Sequence, residues 1–172
     1  MRKESFEYIS NYIRSMICDE NIIRIIKQNS GIEISKNDFE KIDLSQGING
    51  FFYEYSSFTM IKAYEPFLDV IKDMVNRYRM DLDRLLNNAK IYSLQRSVFK
   101  SYIRTGHVER EEEPILGETE FERQKFVKGV VNLLLKISEK HEMFILINNA
   151  NQMCDSTLDV IEELEKYQFT QK

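Results

Sequence analysis

The sequence predicts a helix-rich α/β fold in which a small parallel sheet is flanked by helices. Three observations carry that expectation. Apolar residues recur at three- and four-residue spacing along most of the chain, the mark of helices with one buried face. Two short stretches break that rhythm. FFYEYSS, residues 51–57, has the aromatic content of a strand. MFILI, residues 143–147, is apolar without alternation, which suits a strand covered on both faces of a parallel sheet.

The elements follow in order. Phe6, Ile9, Ile13, Met16 and Ile17 fall at helical spacing. A second short helix is expected over Glu20 to Gln28, ending near Gly31, where a left-handed residue costs little. Ser35 is placed to cap a turn or helix through Lys41. These make residues 1–46 an N-terminal helical segment, and residues 47–172 the α/β module, the two forming one continuous domain. Gly47 and Gly50 punctuate a loop before the first strand.

From Ala63 to Tyr78, Phe67, Val70, Ile71, Met74 and Val75 mark an amphipathic helix with Pro66 in its first turn. DLDRLLNNA, residues 81–89, is a second helix. IYSLQRSVFKSYIRTG is a third, with Leu94, Val98, Phe99 and Tyr102 on one side and Gly106 as its stop. HVEREEEPILGE reads as a charged connection. Thr119 and Glu122 have the spacing of a capping box, opening a helix to about Lys140 through Phe126, Val130, Leu133, Leu134 and Ile137. The strand at 143–147 follows, and Asp155 or Ser156 caps a last helix to about Lys166. Two strands are few for a free-standing sheet. Either others lie around Ile32 to Ile34 or Val108, or the chain belongs to something larger.

Composition narrows the classes. The 172 residues give room for one domain with a substantial core. A net charge of −4 supplies no general attraction to nucleic acid or to an anionic membrane. Only two prolines and six glycines occur, too few for long disordered linkers. Cys18 and Cys154 belong to no metal-ligand spacing, and reduced thiols in a cytosolic protein are the simpler reading, with a disulfide left open. MRKESFEYISNYIRSM lacks the apolar run of a signal peptide, and no stretch approaches the roughly 20 apolar residues of a membrane span. A cytoplasmic protein is therefore expected.

Most candidate sites have a simpler structural explanation. A phosphate-binding loop needs closely spaced glycines followed by Lys and a hydroxyl residue. None of Gly31, Gly47, Gly50, Gly106, Gly117 and Gly129 opens such a motif, and GINGFF is a turn entering a strand. His107 and His141 have no ligand partner at a recognised spacing, and His141 stands near a helix C-terminus, where a positive charge is favoured. Glu109, Glu111, Glu112 and Glu113, interrupted by Arg110, read as a solvated loop. Tyr8, Tyr12, Phe51, Phe52, Tyr53 and Tyr55 lack the interleaved basic residues of a base-stacking surface. No nucleophile motif surrounds any Ser or Cys.

ETEFERQKFVKGVVNLLLKISEKHEMFILINNANQMCDSTLDVIEEL, residues 118–164, carries a pattern: a helix with the pair Glu122–Arg123, a buried strand, a polar segment and a helix opening at Asp155–Ser156–Thr157. This resembles the Walker B region of the AAA-related signal-transduction ATPases, the STAND class. FFYEYSSFTMIKAYEPFLDVIKDM resembles the second strand of that class and the helix entered through a Tyr-x-Pro-Phe segment, here Tyr64 to Phe67. The similarity spans roughly residues 50–165 and implies a partial or degenerate P-loop NTPase-like fold. It also implies a bacterial regulator, since such modules often precede tetratricopeptide repeats and an output domain, as in transcriptional regulators and diguanylate cyclases.

In the family the strand ends in two acids, one holding the Mg²⁺ shell and one polarising the attacking water. Asn148 and Asn149 stand at those places. An amide supplies neither the negative charge nor an effective base, and the phosphate loop is missing too. The resemblance with these departures implies a non-catalytic regulatory or interaction module with no cofactor and no metal. Its partners would be proteins, neighbouring domains or a second copy in a homodimer, with no role for nucleic acid or membrane. The chain stops just after the Walker-B-like helix, so a fragment of a longer protein is expected. Two alternatives stand beside this: an ATPase with a displaced phosphate site, and an unrelated helical dimerisation domain.

Overall fold

Six residues of β1, Ile23–Gln28, turn the expected second helix into a strand. In the computed structural model, which describes Asn11 and residues 23–28, 34–42, 44, 47–55, 63–106 and 120–169, ten elements follow one another. They are β1, α1 (Lys36–Phe39), β2 (Asn49–Glu54), α2 (Phe67–Arg77), α3 (Leu82–Asn88), α4 (Ser93–Thr105), α5 (Glu120–Ser138), β3 (Met143–Asn148), a 3₁₀ turn (Ala150–Gln152) and α6 (Asp155–Phe169). The architecture is helix-rich α/β with a small three-stranded parallel sheet, and the described residues divide between two compact units.

One unit holds β1, α1, β2, β3 and the 3₁₀ turn. The sheet order is β1-β3-β2, and both neighbours run parallel to β3. The expected pairing of the aromatic strand with the 143–147 strand is thus present. All six residues of β3 are buried, as the unbroken apolar run anticipated. IRIIKQ pairs residue for residue with it, from Ile23 opposite Met143 to Gln28 opposite Asn148. A short isoleucine-rich run fits helix and strand alike by pattern. Here the β-branched side chains and the partner strand decide for the strand.

Phe144 and Leu146 of β3 pack with Ile34, Phe39 and Ile42, and Ile26, Leu44, Ile48 and Phe52 close the cluster. Ser35 caps α1, its Oγ accepting the Asp38 amide at 3.2 Å, as its position predicted. Gly50 lies inside β2 rather than in a loop. A side chain there would collide with Leu44 Cδ1 and stand 3.2 Å from Phe39 Cζ, so glycine is what lets α1 and its following turn seat on the sheet.

The other unit holds α2, α3, α4, α6 and all but the last residue of α5. Phe67, Ile71, Met74, Leu86, Phe99, Val130, Leu133 and Leu134 are wholly buried in it. Phe126 lies against two rings, Tyr64 at 4.7 Å and Phe99 at 4.8 Å between centroids. Asp81 caps α3 by accepting the Arg84 amide at 3.0 Å. Gly106, at φ 80°, ends α4 in the left-handed conformation, as its sequence position suggested.

Several expectations shift. Residues 63–66 form a turn and α2 begins at Phe67; α5 ends at Ser138 rather than Lys140; β2 begins at Asn49 and ends at Glu54. Leu94, expected on the buried side of α4, is 84% exposed, whereas Gln95 is buried. The buried stripe runs through Gln95, Phe99, Tyr102 and Ile103, a helical phase that leaves Leu94 one position off it. Of the first expected helix only Asn11 is described, and it is helical; Phe6, Ile9, Ile13, Met16 and Ile17, the strand candidates at Ile32 and Val108, the charged connection and the Thr119 half of the capping box lie outside the described residues. Ile34 is described and is not in a strand.

Candidate functional site

The parallel register aligns one residue from each strand at the carboxyl end of the sheet: Gln28 of β1, Asn148 of β3 and Glu54 of β2. In open parallel sheets this is the end at which ligands collect. Asn148 shares its face with Phe144 and Leu146 by strand alternation and is only 2% exposed. Glu54, at the edge, is exposed.

The two asparagines are engaged in opposite directions. Asn148 donates from Nδ2 to the Ile34 carbonyl at 2.6 Å. Asn149 donates from Nδ2 to the Tyr55 carbonyl at 2.9 Å. The Tyr55 amide returns a bond to the Asn148 carbonyl at 3.2 Å, extending the β2–β3 ladder by one step. Asn149 takes φ 54° and ψ 42°, a left-handed conformation that asparagine adopts more readily than most residues. It thereby ends β3 and opens the 3₁₀ turn, its carbonyl accepting the Gln152 amide at 2.9 Å.

Amide oxygens at this end are in surplus. Asn148 Oδ1, Gln28 Oε1 and Gln152 Oε1 are buried without a hydrogen-bond partner among the described residues. Each such acceptor costs about 1–3 kcal/mol relative to a satisfied one. Asn148 and Asn149 therefore present neutral amides whose donors are committed to backbone carbonyls, with the exposed carboxylate of Glu54 in the same register row. Neither Asn148 nor Asn149 can carry the negative charge that a Mg²⁺ shell needs or accept a proton from water at neutral pH. Among the described residues, no group of three or more His, Cys, Asp or Glu is arranged to hold a metal ion.

The opposite end of the sheet is tied by Glu142. Its carboxylate pairs with the buried Arg24 at 3.3 Å, and its carbonyl accepts the Asn49 backbone amide at 2.9 Å and Asn49 Nδ2 at 3.1 Å. His141 beside it has its basicity lowered by burial and by Lys140.

The other sequence candidates fare differently. Phe52 packs in the core and Tyr55 is 2% exposed, its ring edge-on to Tyr53 at 5.0 Å, which is structural use rather than base stacking. His107, the acidic run and Cys18 lie outside the described residues. Cys154, unremarkable in sequence, precedes α6. Burial pushes its thiol up, but the Ser156 hydroxyl at 3.1 Å, with the Thr157 and Tyr64 backbone, outweighs that and brings it below the usual thiol range. Gln28 and Gln152 were also missed. A correct reading of β1 would have placed Gln28 at the strand end.

Comparison with family models, with curated proteins and with solved structures gives no match. No helix among the described residues is long and apolar enough to cross a membrane.

Proposed function

We propose that the chain is a catalytically silent, NTPase-like module of a bacterial signalling protein, related to the STAND ATPases and working through contacts with other proteins or neighbouring domains. A longer diguanylate cyclase or transcriptional regulator is the context this reading implies. One observation carries the reading: Asn148 and Asn149, at the strand-end places where the family has acids, both spend their amide donors on backbone carbonyls. Residues so used serve the fold and not a nucleotide. The parallel pairing of β2 with β3 is the arrangement the resemblance requires and supports the same reading.

Calorimetry with ATP and ADP, with and without Mg²⁺, tests it. The expected result is no magnesium-dependent binding in the micromolar range. Clear micromolar Mg-ATP binding would overturn the silent module and favour a nucleotide site placed elsewhere. Light scattering across a concentration series reports self-association, the homodimer being one form the partner contact could take.

A further inference from the structure

We infer that Asn148 and Asn149 form a two-sided amide latch that ties Ile34 and Tyr55 to the carboxyl end of the central strand. Asn148 reaches back to Ile34, the first described residue after β1, and Asn149 reaches across to Tyr55, the first residue after β2. The end of the central strand thus holds Tyr55, directly after the last paired residue of β2, and Ile34, six residues after the last paired residue of β1. Only a donor can do this, because both partners are carbonyl oxygens. The orientation of Asn148 is forced: turning the amide over would set oxygen against oxygen at Ile34. That orientation leaves Oδ1 buried and without a partner among the described residues. The latch is retained despite this unfavourable contribution, and its strength lies in the donors.

A carboxylate at either position would open the latch, since it has no hydrogen to give. An acid at 148 therefore loosens the tip. The latch is independent of the proposed ancestry, and its readout is local amide exchange, which does not depend on nucleotide binding.

Hydrogen exchange by NMR on the full chain tests both halves. In Asn148→Asp at pH 7, the Asp38 and Phe39 amides, which bond the Ser35 carbonyl next to Ile34, should exchange about tenfold faster, the loss of one hydrogen bond of ordinary strength. At pH 4.5 the protonated carboxyl regains a donor, and protection should return. Burial and Glu54, the acid in its register row, both favour that protonation, while β1 presents only neutral Gln28 there. If the variant is unfolded at pH 7, recovery of its circular dichroism at pH 4.5 reads the same donor. Asn149→Gly keeps the left-handed backbone and removes the donor, and should speed exchange at the Tyr55 amide alone. Unchanged exchange in both variants, or equal loss of protection by Asn148→Asp at both pH values, overturns the latch.

Discussion

Thr157 Oγ1 donates to the carbonyl of Glu65 at 2.7 Å, and both residues are buried. This single bond joins the first turn of α6 to the turn that precedes α2, 92 residues earlier. Arg123 adds a second tie to α6, its Nε donating to Asp159 at 2.8 Å from α5.

Replacing Thr157 by valine keeps the shape and removes the hydroxyl. The Glu65 carbonyl would then lose this buried donor, at a cost of about 1–3 kcal/mol. Urea unfolding should show a lower midpoint at unchanged slope, and Thr157→Ser should retain most of the stability. A valine variant as stable as the parent would show that the bond contributes nothing.

Gly50→Ala should destabilise by about 1–3 kcal/mol through overpacking against Leu44 and Phe39. Leu44→Ala vacates the space that the new methyl needs. The double variant should therefore be less damaged than the sum of the two singles, a coupling readable in a double-mutant cycle. Additivity would place the strain elsewhere.

Burial works to raise the thiol of Cys154, yet Ser156 and the backbone of Thr157 and Tyr64 hold it below its ordinary range. An acid whose folded pKa is depressed stabilises the fold above its unfolded value, and that stabilisation is lost as pH falls through the folded value. Stability should consequently rise between the folded thiol value and about 8.5. In a Cys18→Ser background, iodoacetamide alkylation of folded protein should have its midpoint below that of a free thiol, and Ser156→Ala should move the midpoint up. A midpoint at or above the free-thiol value would reject the hydrogen-bonded thiolate.

Leu94 and Phe99 were expected to share a buried stripe, yet one is 84% exposed and the other fully buried. Leu94→Ala should change stability by no more than about 0.5 kcal/mol, whereas Phe99→Ala should cost about 3–5 kcal/mol. Thermal unfolding of the pair measures the contrast, and equal effects would contradict the burial.

The helices were legible because their information is local: Ser35 as a cap, Gly106 as a stop, and the periodic apolar residues of α2 and α5 all act within a few positions. β3 was legible for a similar reason, since an apolar run of that length signals burial on both sides. β1 was not. Whether Ile23 to Gln28 coils or extends is decided by β3, whose paired residues lie far along the chain. The tip shows the same division. Sequence marks Asn148 and Asn149 as amides where acids are expected, but their use depends on carbonyls 114 and 94 residues away. Periodicity reports which face is buried and says nothing about such distant backbone partners.

The strand order has a consequence for how the protein is made. β1 and β2 pair with β3 and not with each other, so neither has its sheet partner until Met143 to Asn148 has been synthesised. At about 5–20 residues per second, a ribosome leaves both strands waiting for seconds, with their peptide groups unpaired in this sheet. Closing chain segments this long before any strand pairs slows folding. The nascent chain thus spends its vulnerable interval before β3 emerges, which makes the arrival of that one strand the event on which assembly of the sheet depends.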